Sequence, residues 1–412
     1  MGTVNAKTIK NSLLLIFSQI TARLIGFAYF IFLAKKLSVA DFGVFNWVLG
    51  LVYNFLPVAD FGLERYILKH LPRQIKKAKS YYPRLLTLKM ILGTISFLLA
   101  IALGLILGAS GEKLLILTIF SLHLIPYGLV YTTITFKNAQ EKVELAAIFN
   151  IAYSLAGAIL GIGAIKFGLG LRGVFSGYLL AAVSGFFLIN IFDKEYRSRF
   201  IWDSSFFKKV VRESWVFALL VILSVFYLRL PLLVINKVRG DYETGLYGAV
   251  NKFLEAGILI PQALVLALAP SYSRLLKEKR KEELKKVYYR DLVFILPLAV
   301  FSAAVIFFAA KPIIIIFLGA KYLPAKKAFS FLGLAIGLIF LNSLFSNIIE
   351  NSLLVKKYLI WTGIKFLLVL GSGFWLIPKF GLVGGALMMI GGEVLSLVSN
   401  FIFFRVFVEG YK

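Results

Sequence analysis

A few ionisable side chains interrupt long apolar stretches of this sequence and are the residues best placed to do chemistry. They are Arg23, Lys89, Arg229, Lys252 and Lys365 among the bases, and Asp60, Glu255 and Glu393 among the acids. In hydrocarbon such a group costs about 2.5–3.5 kcal/mol on insertion scales, so it normally faces a cavity or a partner. The excess of bases suits a ligand carrying phosphate or other negative charge, because guanidinium and ammonium groups compensate anions well in a low-dielectric site. Arg23 lies near the middle of the first apolar run, too deep to snorkel, and Arg229 occupies the matching run of the second half, just before Pro231. Both are expected to face a cavity, with the proline bending the helix. Lys365 sits midway along its run. Lys252 and Glu255 are three residues apart, close enough to neutralise each other on one helix face. Glu255, Asp60 and Glu393 are the acids available to a coupling ion. Lys89, one turn inside its run, is expected to snorkel to the headgroups. His123, beside Pro126, is read as a neutral, hydrogen-bonded imidazole.

The same inventory excludes most enzymes. There is no cysteine, and His70 and His123 are the only histidines, which leaves neither thiolate metal sites nor a histidine-rich zinc centre. No Ser–His–Asp set or carboxylate pair in a shared loop is evident, so no catalytic residue, metal or cofactor is expected. Gly168, Gly170 and Gly173 form a formal G-x-G-x-x-G. A dinucleotide fingerprint needs a preceding strand and a βαβ unit, and here the motif falls between two apolar runs.

The elements that hold these residues follow from composition. The 412 residues are 60% apolar and only 16% charged, with a mean hydropathy of +0.87, too little polar surface to cover a water-soluble particle. Apolar runs long enough to cross about 30 Å of hydrocarbon recur at 12–34, 43–63, 85–108, 114–136, 144–165, 173–192, 214–236, 246–269, 291–310, 327–349, 358–377 and 382–404. The fold class is therefore an all-α polytopic membrane protein of about twelve transmembrane helices. No small-residue cleavage site follows the first run, so it is expected to be a retained helix. Most of the 46 basic residues, including Arg65, Lys69, Arg73, Lys76, Lys77, Lys79 and the run Arg274 to Arg290, fall on one side if the N-terminus is cytoplasmic. That places both termini and most of the +26 charge inside a cell membrane, against anionic headgroups, and makes nucleic acid an unneeded partner. Trp202, Trp215 and Trp361 are expected at the inner interface, and Trp47 and Trp375 toward the outer one.

Residues 202–213 space Trp202, Phe206 and Val210 along one helical face, continuing to Trp215, which predicts an amphipathic surface helix joining two halves. The run 274–290 predicts a charged helical extension with internal Glu–Lys pairing. The halves, 1–200 and 201–412, repeat each other. Lys-Phe-Gly-Leu recurs at 166–169 and 379–382, and Asp41-Phe-Gly-Val-Phe matches Glu243-Thr-Gly-Leu-Tyr. Six spans per repeat give both halves the same orientation, the arrangement of two lobes around a central cavity with alternating access. The pairs Gly104/Gly108, Gly157/Gly161, Gly333/Gly337 and Gly381/Gly385 are read as close helix packing.

Residues 5–48 resemble the first two spans of Wzx-type polysaccharide flippases, within the multidrug/oligosaccharidyl-lipid/polysaccharide exporter superfamily. The resemblance rests on the early Arg-bearing span, the loop ending D/E-x-G-x-[FY], and Asp-Phe-Gly-Leu-x-Arg from Asp60 to Arg65. In the second half it rests on Tyr242 to Tyr247, on Ala269-Pro-Ser-Tyr-Ser-Arg274 and on the Lys-Phe-Gly-Leu turns. It implies a polyprenyl-diphosphate-linked oligosaccharide as substrate, moved from the inner to the outer leaflet, and a pair of six-helix lobes with a cationic central vestibule. On that basis Arg23 and Arg229 are expected to engage the diphosphate or acidic sugars, with Lys365 and Lys252 next. A Na⁺- or H⁺-coupled multidrug exporter of the same superfamily is the alternative. A membrane polymerase or ligase is disfavoured, because the longest outer connection, around 310–327, is short.

Overall fold

The computed structural model describes residues 6–72, 78–192, 199–278, 280–350 and 355–409. Arg73, Lys76 and Lys77 of the basic set lie outside the described residues, as does Lys279. Among the described residues there is no strand. The helices are α1 (Ala6–Lys36), α2 (Val39–Asn54), α3 (Leu56–Asp60), α4 (Leu63–His70), α5 (Ala78–Ile106), α6 (Gly111–Leu122), α7 (Leu124–Asn138) and α8 (Glu144–Lys166). They continue as α9 (Gly170–Phe192), α10 (Ser204–Gly257), α11 (Leu259–Lys277), α12 (Lys281–Ile313), α13 (Lys326–Glu350), α14 (Val355–Phe380) and α15 (Leu382–Glu409). Eleven helical stretches among the described residues are long and apolar enough to cross a membrane, and one of them, Ser204–Val265, is long enough for two crossings. It divides at Gly240, whose φ of 82° and ψ of −173° interrupt the helix. The twelve apolar runs of the sequence all correspond to helix.

Three spans are broken where the hydropathy pattern shows continuity. The breaks fall at Phe55, His123 and Ile258, ahead of Pro57, Pro126 and Pro261. A proline ring clashes with the carbonyl four residues back, here at Tyr53, Leu122 and Gly257, and each helix ends at or beside that residue. Pro231 acts otherwise: α10 continues through it. The repeated Lys-Phe-Gly-Leu turns share a backbone conformation, with Gly168 at φ 73° and Gly381 at φ 55°, a region open to glycine.

The described chain falls into two compact units, one of residues 1–33 and 48–225, the other of 34–47 and 226–412. These are not the same segments as the sequence halves 1–200 and 201–412. Residues 34–47 join the second unit through the repeated glycine motif. A Cβ on Gly43 would lie 1.8 Å from the Asp241 carbonyl oxygen, and one on Gly245 would lie 1.9 Å from that of Val39. The two backbones therefore touch with no side chain between them. Ser38 Oγ accepts the Asp41 N–H at 3.0 Å, capping α2, and the Tyr322 hydroxyl donates to the Ala34 carbonyl at 2.9 Å. Beyond the kink, Asn236 Nδ2 donates to Asp241 Oδ1 (2.8 Å) and Thr244 Oγ1 (3.0 Å), and Thr244 donates to the Gly240 carbonyl (2.7 Å).

The first unit holds the start of α10. From Ser204 the segment 202–213 is not a separate surface helix but the opening turns of α10; of the expected stripe only Val210 is buried, alongside Phe207 and Ser214, while Trp202 and Trp215 are exposed. Phe207 and Val210 complete an apolar cluster with Tyr66, Tyr82, Leu86 and Phe136. Asp203 begins the helix: its Oδ1 accepts the Phe206 N–H at 3.0 Å and the Ser205 hydroxyl at 2.7 Å, and its Oδ2 meets Arg84 Nε at 2.9 Å. These donors, the backbone N–H first, hold the Asp203 carboxyl below the usual carboxylate range. Two other expectations need correction. Trp47 is fully buried and belongs to the core, not to an interfacial belt, whereas Trp375 and Trp202 are exposed. The run 274–290 is not one helix: α11 and α12 are separated by a turn in which Arg280 bonds Glu278 Oε2 (3.0 Å) and Glu283 Oε1 (2.7 Å). The glycine pairs pack as read at Gly333 and Gly337, where a Cβ would come 3.0 Å and 3.2 Å from the Ala303 and Ala299 carbonyls of α12.

Gly43→Ala or Gly245→Ala forces the crossing apart, at an overpacking cost of about 1–3 kcal/mol, and each should lower the melting temperature of the detergent-purified chain. Gly163→Ala, with open space around it, should leave that temperature unchanged. Because Asp203 is depressed in the folded chain, its contribution is present at neutral pH and lost as pH falls through its folded value. Amide-exchange protection of residues 204–210 should fall on that acidification, and Asp203→Ala should reproduce the loss at pH 7.

Candidate functional site

The second unit gathers most of the charged residues singled out in the sequence. Arg229 of α10 lies three turns before the Gly240 kink, and Lys252 and Glu255 lie six and three residues before the Ile258 break. Folding the two arms brings all three together. Lys252 Nζ donates to Glu255 Oε2 at 2.9 Å, as the spacing predicts, and Arg229 Nε lies 3.8 Å from Glu255 Oε1. All three side chains are half-buried, between 19% and 30% exposed, so they are neither sealed in the core nor free at a surface. Two cations share one carboxylate.

Lys365 of α14 and Glu393 of α15 meet across Tyr227. Lys365 Nζ donates to Ser396 Oγ at 2.8 Å and stands 4.4 Å from the Tyr227 ring centroid, a cation–π distance. The Tyr227 hydroxyl donates to Glu393 Oε1 at 2.9 Å, and Asn342 Nδ2 donates to Glu393 Oε2 at 2.7 Å and to the Glu393 carbonyl at 2.9 Å. Asn400 Nδ2 then donates to Asn342 Oδ1 at 3.1 Å. Glu393 is thus 5% exposed and bonded through both carboxylate oxygens, not a lone group. Tyr227, Asn342, Ser396 and Asn400 were missed by a reading that weighed only ionisable side chains. Their signal was present, since uncharged polar residues in apolar spans also need partners.

In the first unit Lys89 does not snorkel. It is 4% exposed, and its Nζ donates to Asp60 Oδ1 at 2.9 Å. Asp60 ends the short α3, and its Oδ2 lies 3.4 Å from the Glu64 N–H across the left-handed residues Phe61 and Gly62. The pair therefore fastens the broken end of the span to α5, and Asp60 has its cation already. His123 Nε2 lies 2.5 Å from the Tyr153 hydroxyl, which meets the expected hydrogen-bonded imidazole. Arg23 is exposed on α1 and has no ion pair among the described residues. It belongs to the first unit, whereas Arg229 belongs to the second. Among the described residues no group of three or more metal-ligating side chains occurs.

This arrangement offers cationic and hydrogen-bonding groups on membrane helices. A family model described as "Polysaccharide biosynthesis protein" matches residues 8–276, and one described as MatE matches residues 217–375. The chain is 26% identical over 180 residues to the capsular polysaccharide biosynthesis protein CapF of Staphylococcus aureus, a match spanning 43% of this chain and 44% of that one. The match thus covers less than half the length of that relative. In fold, the chain is similar to an inward-facing multidrug resistance MATE family transporter of the MOP superfamily, with a TM-score of 0.75 at 16% identity, covering 94% of this chain and 95% of the other. It is similar too to a MOP superfamily transporter from Pyrococcus furiosus, whose description reports a binding pocket of reversed polarity; there the TM-score is 0.62 at 16% identity, covering 98% and 95%. The fold is that of this superfamily of multi-pass membrane transporters.

Removing one partner of a buried ion pair costs about 3–5 kcal/mol, because it strands the other charge. Asp60→Ala should therefore lower the melting temperature sharply, and pairing it with Lys89→Met should recover most of the loss. Thermal melting of the four proteins of that cycle measures the coupling.

Proposed function

From the premise that the chain belongs to the polysaccharide biosynthesis protein family, we propose that it is a flippase. It carries a polyprenyl-diphosphate-linked oligosaccharide from the cytoplasmic to the outer leaflet by alternating access, for synthesis of cell-surface polysaccharide. The observation that carries this reading is the half-buried cluster of Arg229, Lys252 and Glu255, two bases around one carboxylate on membrane-spanning helix. A diphosphate is a strong partner for such groups, and a planar guanidinium can bind it through two parallel hydrogen bonds. Arg23, exposed on α1, is the second cation assigned to the substrate, with Lys365 behind it. The distribution of Lys and Arg supports a cytoplasmic-membrane location with both termini inside. The six-span halves 1–200 and 201–412 are its functional lobes.

A second reading is a Na⁺- or H⁺-coupled multidrug exporter. The MatE match over residues 217–375 favours it, with Glu255 or the buried Glu393 as the coupling acid. Asp60 fits that role less well, being bonded to Lys89.

A charge-assisted hydrogen bond is worth about 1.5–3 kcal/mol, so Arg229→Gln should weaken the lipid-linked substrate about 10-fold or more. The double variant Arg23→Gln with Arg229→Gln should abolish surface polysaccharide in a host whose own flippase is deleted, at unchanged membrane level of the protein. Full surface polysaccharide in that double variant counts against the site. Drug resistance conferred by the wild type and lost in Glu393→Gln, with no rescue of polysaccharide, selects the exporter instead.

A further inference from the structure

Near the middle of their spans, α14 carries Lys365 and α15 carries Glu393, and both groups meet one tyrosine. Tyr227 turns its hydroxyl to Glu393 Oε1 at 2.9 Å and its ring to Lys365 Nζ, 4.4 Å from the centroid. Gly392 makes room for that hydroxyl, since a Cβ there would overlap it. On α15 the oxygen-bearing residues Glu393, Ser396 and Asn400 follow at i, i+3 and i+7, so they share one face of the helix. All three are buried, at 5%, 6% and 1% exposed. Asn342 of α13 completes the set: it donates to Glu393 Oε2 at 2.7 Å and accepts from Asn400 at 3.1 Å. Every one of these residues belongs to the second compact unit.

The direction of the hydrogen bonds shows where charge sits. Ser396 Oγ gives its proton to the Gly392 carbonyl at 2.9 Å, so toward Lys365 it accepts and the lysine donates. Glu393 accepts on both oxygens, from Tyr227 and from Asn342, as an ionised carboxylate does. A carboxylate at this depth needs a compensating charge, which can be a bound metal ion or a cation of the chain. The network also holds an oxygen in reserve: Asn400 Oδ1 is buried without a hydrogen-bond partner. Carboxylate, hydroxyl and carboxamide oxygens are the ligands of a hard cation.

We propose that Glu393, Ser396 and Asn400 form a monovalent-cation pocket whose occupant is the chain's own Lys365 ammonium. The tethered cation supplies the charge that a dissolved Na⁺ would bring, and it cannot be exchanged across the membrane. The second unit therefore carries no exchangeable ion at Glu393. The proposal holds for either cargo, lipid-linked or drug. Of the acids open to a coupling ion in the exporter reading, it removes Glu393 and leaves Glu255.

The test needs no cargo. The full chain in phosphatidylcholine nanodiscs is melted across a NaCl series, with choline chloride holding the ionic strength constant. The wild-type melting temperature should not move. Lys365→Met vacates the pocket, so it should melt lower in choline and recover saturably as Na⁺ is added, because an ion bound only by the folded chain stabilises it. Adding Glu393→Gln to Lys365→Met should remove both the loss and the response to Na⁺. A saturable rise with Na⁺ in the wild type that Glu393→Gln abolishes overturns the proposal, because a dissolved ion then holds the pocket. A folded Lys365→Met that melts independently of Na⁺ overturns it too, and is the result expected if the lysine serves a cargo alone. If Lys365→Met does not fold, the wild-type series still decides, together with Glu393→Gln, which strands the ammonium and should melt lower. None of these outcomes depends on what is carried, so the flippase reading stands or falls by its own experiment.

Discussion

Two helical backbones touch where Gly43 meets Asp241 and Gly245 meets Val39, and the second compact unit is assembled around that crossing. Within a bilayer, lipid tails solvate apolar side chains as well as other side chains do, so close backbone packing takes over the role that hydrophobic burial plays in water. Glycine on both strands of the crossing lets carbonyl oxygens approach the opposite Cα groups. The neighbouring bonds then follow from position: the Ser38 cap, the Asn236–Asp241–Thr244 set at the kink, and Tyr322 on the Ala34 carbonyl all lie close to it in sequence. Because the two glycines sit at the same place in a repeated motif, the duplication of the sequence carries its own point of contact. The motif is a packing device before it is a signature.

Much of the architecture was legible because hydropathy reads transmembrane length directly. All twelve apolar runs are helical, and the Lys252–Glu255 pair follows from three-residue spacing alone. Other features depend on what lies across from a residue, which periodicity does not encode. Lys89 was assigned to headgroups because its distance from the helix end allowed snorkelling, and only the fold supplies Asp60. Trp47 has the composition of an interfacial anchor and the location of a core residue. The breaks at Phe55, His123 and Ile258 were legible in principle, since each precedes a proline whose ring excludes the carbonyl four residues back. Membership of 34–47 in the second unit was not, because the crossing partner is some two hundred residues away in sequence.

The polar groups inside the spans divide by how completely they are answered. Lys89 with Asp60 is a closed account: a buried cation, an anion, and a helix end held in place. Glu393 is saturated by Tyr227 and Asn342, with Lys365 turned to a ring face and a hydroxyl. Such networks rigidify a unit and specify one packing when every member has a partner. Arg229 and Lys252, sharing Glu255, remain partly accessible. That accessibility is why the proposed ligand contact is placed on this cluster and not on the two buried ones.

On the flippase reading, the shared carboxylate also sets the electrical cost of a transport cycle. With Glu255 ionised, the trio carries one net positive charge, so a doubly charged diphosphate seated there travels as a complex with one negative charge. Moving one elementary charge through a membrane potential involves about 2.3 kcal/mol per 100 mV. On the flippase reading, a potential negative inside pushes that complex outward and, once the cargo has left, draws the vacant, positively charged site back toward the inner face. On that reading the ratio of two bases to one acid gives the cycle a direction that depends on voltage, written in three side chains.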